Sequence, residues 1–146
     1  MSIWSDWFLA EESEAEAIAD VVRTEERGFD DWPHLAMKLG DLELMLLRGV
    51  MAGSPGELPD IHGDDLAGGM DEDGGGVSVF RILPAFVDEL AALKEAGILE
   101  AASRWIGCEG MEDWTEEEAA AQVTEIAEFA RRAGAAGTPV LSLATW

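Results

Sequence analysis

The chain holds a single cysteine, Cys108, which excludes an intramolecular disulfide and a thiol redox pair. Tyrosine is missing, and lysine is reduced to Lys38 and Lys94 beside seven arginines. Long hydrophobic runs are missing too. The weightiest aliphatic stretch, residues 44–47, stops at Arg48 and is far too short to span a bilayer. The opening residues, MSIWSDWFLAEESE, place acids where a secretory signal would need a basic region and then an apolar one. A cytoplasmic protein with no membrane contact is the expectation. Basic residues are scarce altogether, 9 against 31 acids, giving a formal charge of −22. Such a field repels phosphate backbones and anionic lipid, so nucleic acid is excluded as a partner.

What is present suits one domain. The 146 residues are 48% apolar, enough for a real core and too apolar for disorder throughout. The acidity has three readings: solubility, salt adaptation, or a basic protein partner. Charge alone does not choose among them.

Residues 3–9 read as an opening strand carrying Trp4, Trp7 and Phe8. Ser13 and Glu16 have capping-box spacing, and Ala15, Ile18, Ala19 and Val22 form a helical stripe that should end near Gly28. Residues 29–33, with Pro33, read as a break. A buried helix is expected from Asp41, as N-cap, to Met51. Residues 52–76 change character, with eight glycines, seven acids, Pro55 and Pro59, and no basic residue. A long, mobile acidic loop, with at most a turn near residues 64–66, is the expectation there.

Order resumes with a strand at 77–83, its Val77, Val79 and Arg81 on one face and Ser78, Phe80 and Ile82 on the other. Pro84 then opens a helix that buries Phe86, Val87, Leu90 and Leu93 and ends at Gly97. A shorter helix at 99–106 and a loop follow. Thr115 and Glu118 form a second capping-box signature before a helix striped by Ala119, Val123, Ile126, Ala127 and Ala130, with Gly134 as its stop. Residues 140–144 make a closing strand. The expected architecture is a single α+β domain, residues 1–146. Its small sheet of about three strands would be covered on one face by four to five helices.

Motifs for chemistry are thin. His62, Asp64 and Asp65, with Asp71, Glu72 and Asp73 downstream, could attract a cation. An EF-hand loop, however, would need Asp at Gly69 and glutamate at Phe80. Zinc would want more than His34, His62 and Cys108. No dedicated metal site and no cofactor are expected. Cys108 lies among Glu109, Glu112 and Asp113, whose charge disfavours a reactive thiolate. There is no G-x-S-x-G elbow, and Gly74-Gly75-Gly76 precedes a strand, so it is not a phosphate cradle. No catalytic residues are assigned.

Six tryptophans are more suggestive, because tryptophan is favoured at interface hot spots. Trp4, Trp7 and Trp105 read as core or half-core. Trp32 and Trp114 stand among acids, as apolar anchors ringed by charge would, although closing the core beneath loops is the more ordinary role for both. Residues 109–118 (EGMEDWTEEE) are the leading candidate for a docking site, with Glu109, Glu112, Asp113, Trp114, Glu116 and Glu117 as its contact residues.

The order of segments resembles that of the YfbM-like proteins, small uncharacterised bacterial domains. The likeness is carried by residues 42–53 before a variable loop, by VSVFRILPAFVDELAAL, by EIAEFARRAGAAG, and by PVLSLA. It implies an α+β fold and no residue-level function. Two functional classes follow from the residues themselves. One is a non-enzymatic acidic module, inhibitor or immunity-like, docking on a basic protein partner. The other is a small enzyme, or a small-ligand or cation binder, using carboxylates that the sequence does not single out.

Overall fold

The computed structural model describes residues 5–24, 29, 31–70 and 76–145. In chain order they form β1 (Ser5–Leu9), a 3-10 turn (Glu12–Glu14), α1 (Ala15–Thr24), β2 (His34–Met37) and α2 (Asp41–Met51). Next come β3 (His62–Met70), β4 (Gly76–Ile82), α3 (Pro84–Ala91), α4 (Glu95–Trp105), α5 (Glu116–Ala136) and β5 (Val140–Thr145). The class is α+β with five α-helices among the described residues, but the sheet is larger than about three strands. Five strands run in the order β2-β1-β5-β4-β3, and each pairing is antiparallel. Trp4, Gly28, Asp30, Asp71, Glu72, Asp73, Gly74 and Gly75 lie outside the described residues.

Two strands account for the difference. β2 starts directly after Pro33 and pairs with β1 from Phe8↔His34 to Ser5↔Met37. Only Met37 of its four residues is buried, so no alternating pattern announces it. β3 corrects the single long loop expected over 52–76. Its glycines and aspartates are poor strand formers, and the ladder to β4, from His62↔Ile82 to Met70↔Gly76, is what makes it a strand. That ladder shifts register twice, between His62 and Asp65 and between Asp65 and Ala67. Such irregularity is common on a sheet edge, where it discourages further pairing.

Helices cover both faces of the sheet, not one. On one face α1 packs Ala15, Ile18, Ala19 and Val21 against Phe8, Val77, Val79, Leu141 and Leu143. On the other, α2 to α5 bury Trp7, Leu9, Ile82 and Val140 together with Leu44, Phe86, Trp105 and Phe129. Strands buried on both sides read as near-continuous apolar runs, as in Trp7-Phe8-Leu9.

Several element ends differ from their sequence signals. The first capping box joins Glu11 and Glu14, with the Glu11 N–H donating to Glu14 Oε1 at 3.0 Å, instead of Ser13 and Glu16. Gly40, not Asp41, is the N-cap of α2. Gly97 lies inside α4, and α3 has already closed at Ala92. Gly134 lies inside α5, which instead stops at Gly137, the residue with left-handed backbone at φ 65°. Pro84 does open α3, and the Thr115 box does open α5.

Candidate functional site

The docking candidate is built on the junction between α4 and α5. Trp105 closes α4 fully buried, its Nε1 donating to the Glu43 carbonyl at 2.9 Å. The chain then descends through three tight turns. Cys108 N–H donates to Trp105 O at 2.9 Å, Met111 N–H to Cys108 O at 3.2 Å, and Trp114 N–H to Met111 O at 3.1 Å. Met111 is fully buried and pins the loop from below. Gly110 takes φ 97°, a conformation that favours glycine. Its N–H donates to both Glu112 carboxylate oxygens, at 3.1 and 3.0 Å. That bond, followed by one from the Glu112 amide itself, holds the Glu112 carboxyl below the usual carboxylate range.

At the start of α5, Glu118 N–H donates to Thr115 Oγ1 and Thr115 N–H donates to Glu118 Oε1, both at 3.1 Å. Glu116, Glu117 and Glu118 occupy the first turn, where the helix dipole favours negative charge. The structure therefore brings the candidates into one corner. Glu109, Glu112, Asp113, Glu116 and Glu117 are exposed, and Trp114 is half-buried against the edge of the larger core. Its ring lies 6.3 Å from that of Trp105, tilted by 31°. Trp32 is different. It is buried under α1, and its Nε1 donates to Glu14 Oε2 at 2.8 Å, so it closes the core and is no surface anchor.

His62 has other neighbours than its sequence context suggested. Its Nε2 lies 3.3 Å from Asp41 Oδ2 on α2, and its Nδ1 lies 4.0 Å from Asp60 Oδ1. The buried Nε2 has no aligned hydrogen bond, so the Asp41 contact is one of charge and proximity. Its ring packs on Phe80 with centroids 4.9 Å apart. Asp41 first, with Asp60 and Asp65 farther out, holds the imidazole pKa above its ordinary value against the opposing pull of burial. Asp64 is exposed, while Asp71, Glu72 and Asp73 fall outside the described residues. Among the described residues no group of three or more His, Cys, Asp or Glu is arranged to hold a metal ion. Cys108 is half-buried, with Sγ 3.8 Å from the Arg104 carbonyl.

Sequence reasoning missed a cleft of about 590 Å³ at the other end of α5, lined by Glu11, Glu14, Asp31, Trp32 and Arg132 among others. Its walls come from three distant segments, so no local pattern could have signalled it. Among the described residues no helix is long and apolar enough to cross a membrane. No family model matches this sequence, and no curated protein or solved structure matches it significantly.

Proposed function

We propose that the protein is a non-enzymatic acidic binding module, of inhibitor or immunity type, that docks on a basic protein partner in the cytoplasm. The reading rests on one observation: Trp114 stands half-buried in a corner where Glu109, Glu112, Asp113, Glu116 and Glu117 are all exposed. Opposed fields speed encounter, and a tryptophan that is already partly held loses little freedom when a partner covers the rest of it. Met111 and the Thr115 box support the corner from within, so docking needs no folding of the loop. Separately, the order of its segments is the ground for proposing that the chain is a YfbM-like bacterial domain, which a profile built from its close relatives would test.

Affinity capture from the native host at low and high salt supplies the partner, and its kinetics then test the corner. Glu112→Gln with Asp113→Asn should slow association and flatten its salt dependence. Trp114→Ala should speed dissociation roughly tenfold or more, a hot-spot loss of about 2 kcal/mol. Because Trp114 also touches Trp105, unfolding is measured alongside, and Trp114→Phe retains most of the packing. Capture that is indifferent to the charge changes, with Trp114→Ala altering stability alone, would make the corner scaffolding and end the proposal.

A further inference from the structure

We infer that the cleft at the C-terminal end of α5 binds a small zwitterion, of the size of a free amino acid or dipeptide, with its ammonium toward Glu11 and Glu14 and its carboxylate on Arg132. The cleft has about 590 Å³, within the range that small-ligand sites occupy. It lies at the opposite end of α5 from Trp114, about 30 Å away along a helix of 21 residues. It is therefore separate from the proposed docking corner.

The distribution of charge is what points to such a ligand. Arg23, Arg48, Arg81 and Arg104 are each paired with a carboxylate, and Arg131 donates to the Ala91 and Leu93 carbonyls. Arg132 alone among the described arginines has neither an ion pair nor a hydrogen bond, in a chain of charge −22. It lines the same cleft as Glu11 and Glu14 and yet pairs with neither. Opposite charges are thus held apart across a gap. A ligand carrying both signs at its two ends satisfies that arrangement, since a guanidinium fork matches a carboxylate bidentately.

The acidic wall is itself fixed. The Glu14 carboxylate accepts from the Glu11 N–H at 3.0 Å and from Trp32 Nε1 at 2.8 Å, and these two bonds, in that order, hold its pKa down and keep it ionised. Each of its oxygens accepts one bond there and keeps a second lone pair for an ammonium. A polyanion such as a nucleotide would meet the carboxylates of Glu11, Glu14 and Asp31. A simple cation would meet Arg132. Ala135 and Ala136 leave room on the helix side, and Leu9, Ala10, Trp32 and Pro33 supply apolar lining.

The test is an amide and indole NMR titration of the full chain. The probes are the twenty free amino acids and L-alanyl-L-alanine, with N-acetyl-L-alanyl-L-alanine and L-alanyl-L-alaninamide as forms blocked at one end. The Trp32 indole signal is assigned through Trp32→Phe. At least one zwitterion should shift the signals of Ala10, Trp32 and Ala136 saturably. Blocking either end of the dipeptide should weaken binding about tenfold, the worth of one charge-assisted hydrogen bond. Arg132→Gln should abolish the distinction between the free peptide and its amide. Arg132 is exposed on a helix surface, so unchanged α5 amide positions will establish that the variant folds. An absence of shifts across the whole panel at millimolar concentration overturns the proposal. Equal binding of free and blocked peptides does so as well, leaving a groove filled with solvent.

Discussion

The two faces of the sheet carry unequal cover, and they make up the shortfall differently. Four helices close one face, and its core runs without interruption from Trp7 through Phe86 and Trp105 to Phe129. A single helix, α1, closes the other and is too narrow for the task. Aromatic side chains from the neighbouring connection finish it: Phe8 stacks on His34 with centroids 4.7 Å apart and meets Phe29 at 4.9 Å and Trp32 at 6.2 Å. Two polar contacts fasten the rim, Trp32 Nε1 to Glu14 and Arg81 Nη1 to Glu12, each at 2.8 Å. Cohesion on the broad face is spread over many apolar neighbours. On the narrow face it is concentrated in a few large rings and the bonds that orient them.

That contrast predicts a ranking. Trp105→Ala should be the most damaging change, about 3–5 kcal/mol by urea unfolding, since it opens a cavity in the broad core and removes the indole bond to the Glu43 carbonyl. Trp32→Ala should cost less, about 2–3 kcal/mol, because it opens only the rim of the narrow core. The sharper readout is hydrogen exchange. Trp32→Ala should accelerate exchange in α1 while α5 stays at the global limit, whereas Trp105→Ala should loosen both. Equal acceleration of α1 and α5 by both variants would merge the two faces into one cooperative unit and break the comparison.

Two smaller effects sharpen it on the broad side. Thr115→Ala removes the hydroxyl that caps α5 and should cost about 1 kcal/mol, confined to amides of the first turn. His62 joins β3 to α2 through Asp41, and its pKa is raised in the folded state. Protonated His62 therefore stabilises the fold below the unfolded value of about 6.5, and the contribution fades as pH rises through the folded-state value. The amplitude should stay below about 1 kcal/mol because part of the side chain is solvated. Unfolding curves taken across this window should flatten in Asp41→Asn, and an unaltered pH dependence in that variant would remove Asp41 as the cause.

Elements whose own residues carry a period were legible. α5 and the strands β1, β4 and β5 stand close to where their patterns place them, α2 was found through its leucine and methionine content, and α3 starts at Pro84 as expected but stops well short of Gly97. β2 and β3 were not legible, because their strand character comes from partners. His34-Leu35-Ala36-Met37 buries one residue, and the glycines of β3 have no side chains with which to mark a face. Glycine also misled as a stop signal. Gly97 and Gly134 sit within helices, whereas the glycines with left-handed backbone that end helices are Gly53 after α2 and Gly137 after α5. At the corner proposed for docking the residue types and the Thr115 cap were legible, whereas the support from Met111 was not, since a lone methionine in an acidic loop carries no period. Trp32 closes the core, as one of its two readings had it, while its bond to Glu14, eighteen residues away, was reached only through the fold.

The placement of β5 bears on how the protein is made. It is the last of the described strands in chain order, yet it is the middle rail of the sheet, bonded to β1 on one side and to β4 on the other. Until it leaves the ribosome, β1 with β2 and β3 with β4 can exist only as two ribbons, each with one open edge that β5 will later occupy. Ribbons of two strands are barely stable alone, so the nascent chain waits with apolar strands uncovered through the synthesis of α5. A chain cut short before Val140 would carry two ribbons with no strand between them, each with an inner edge ready to pair with another chain.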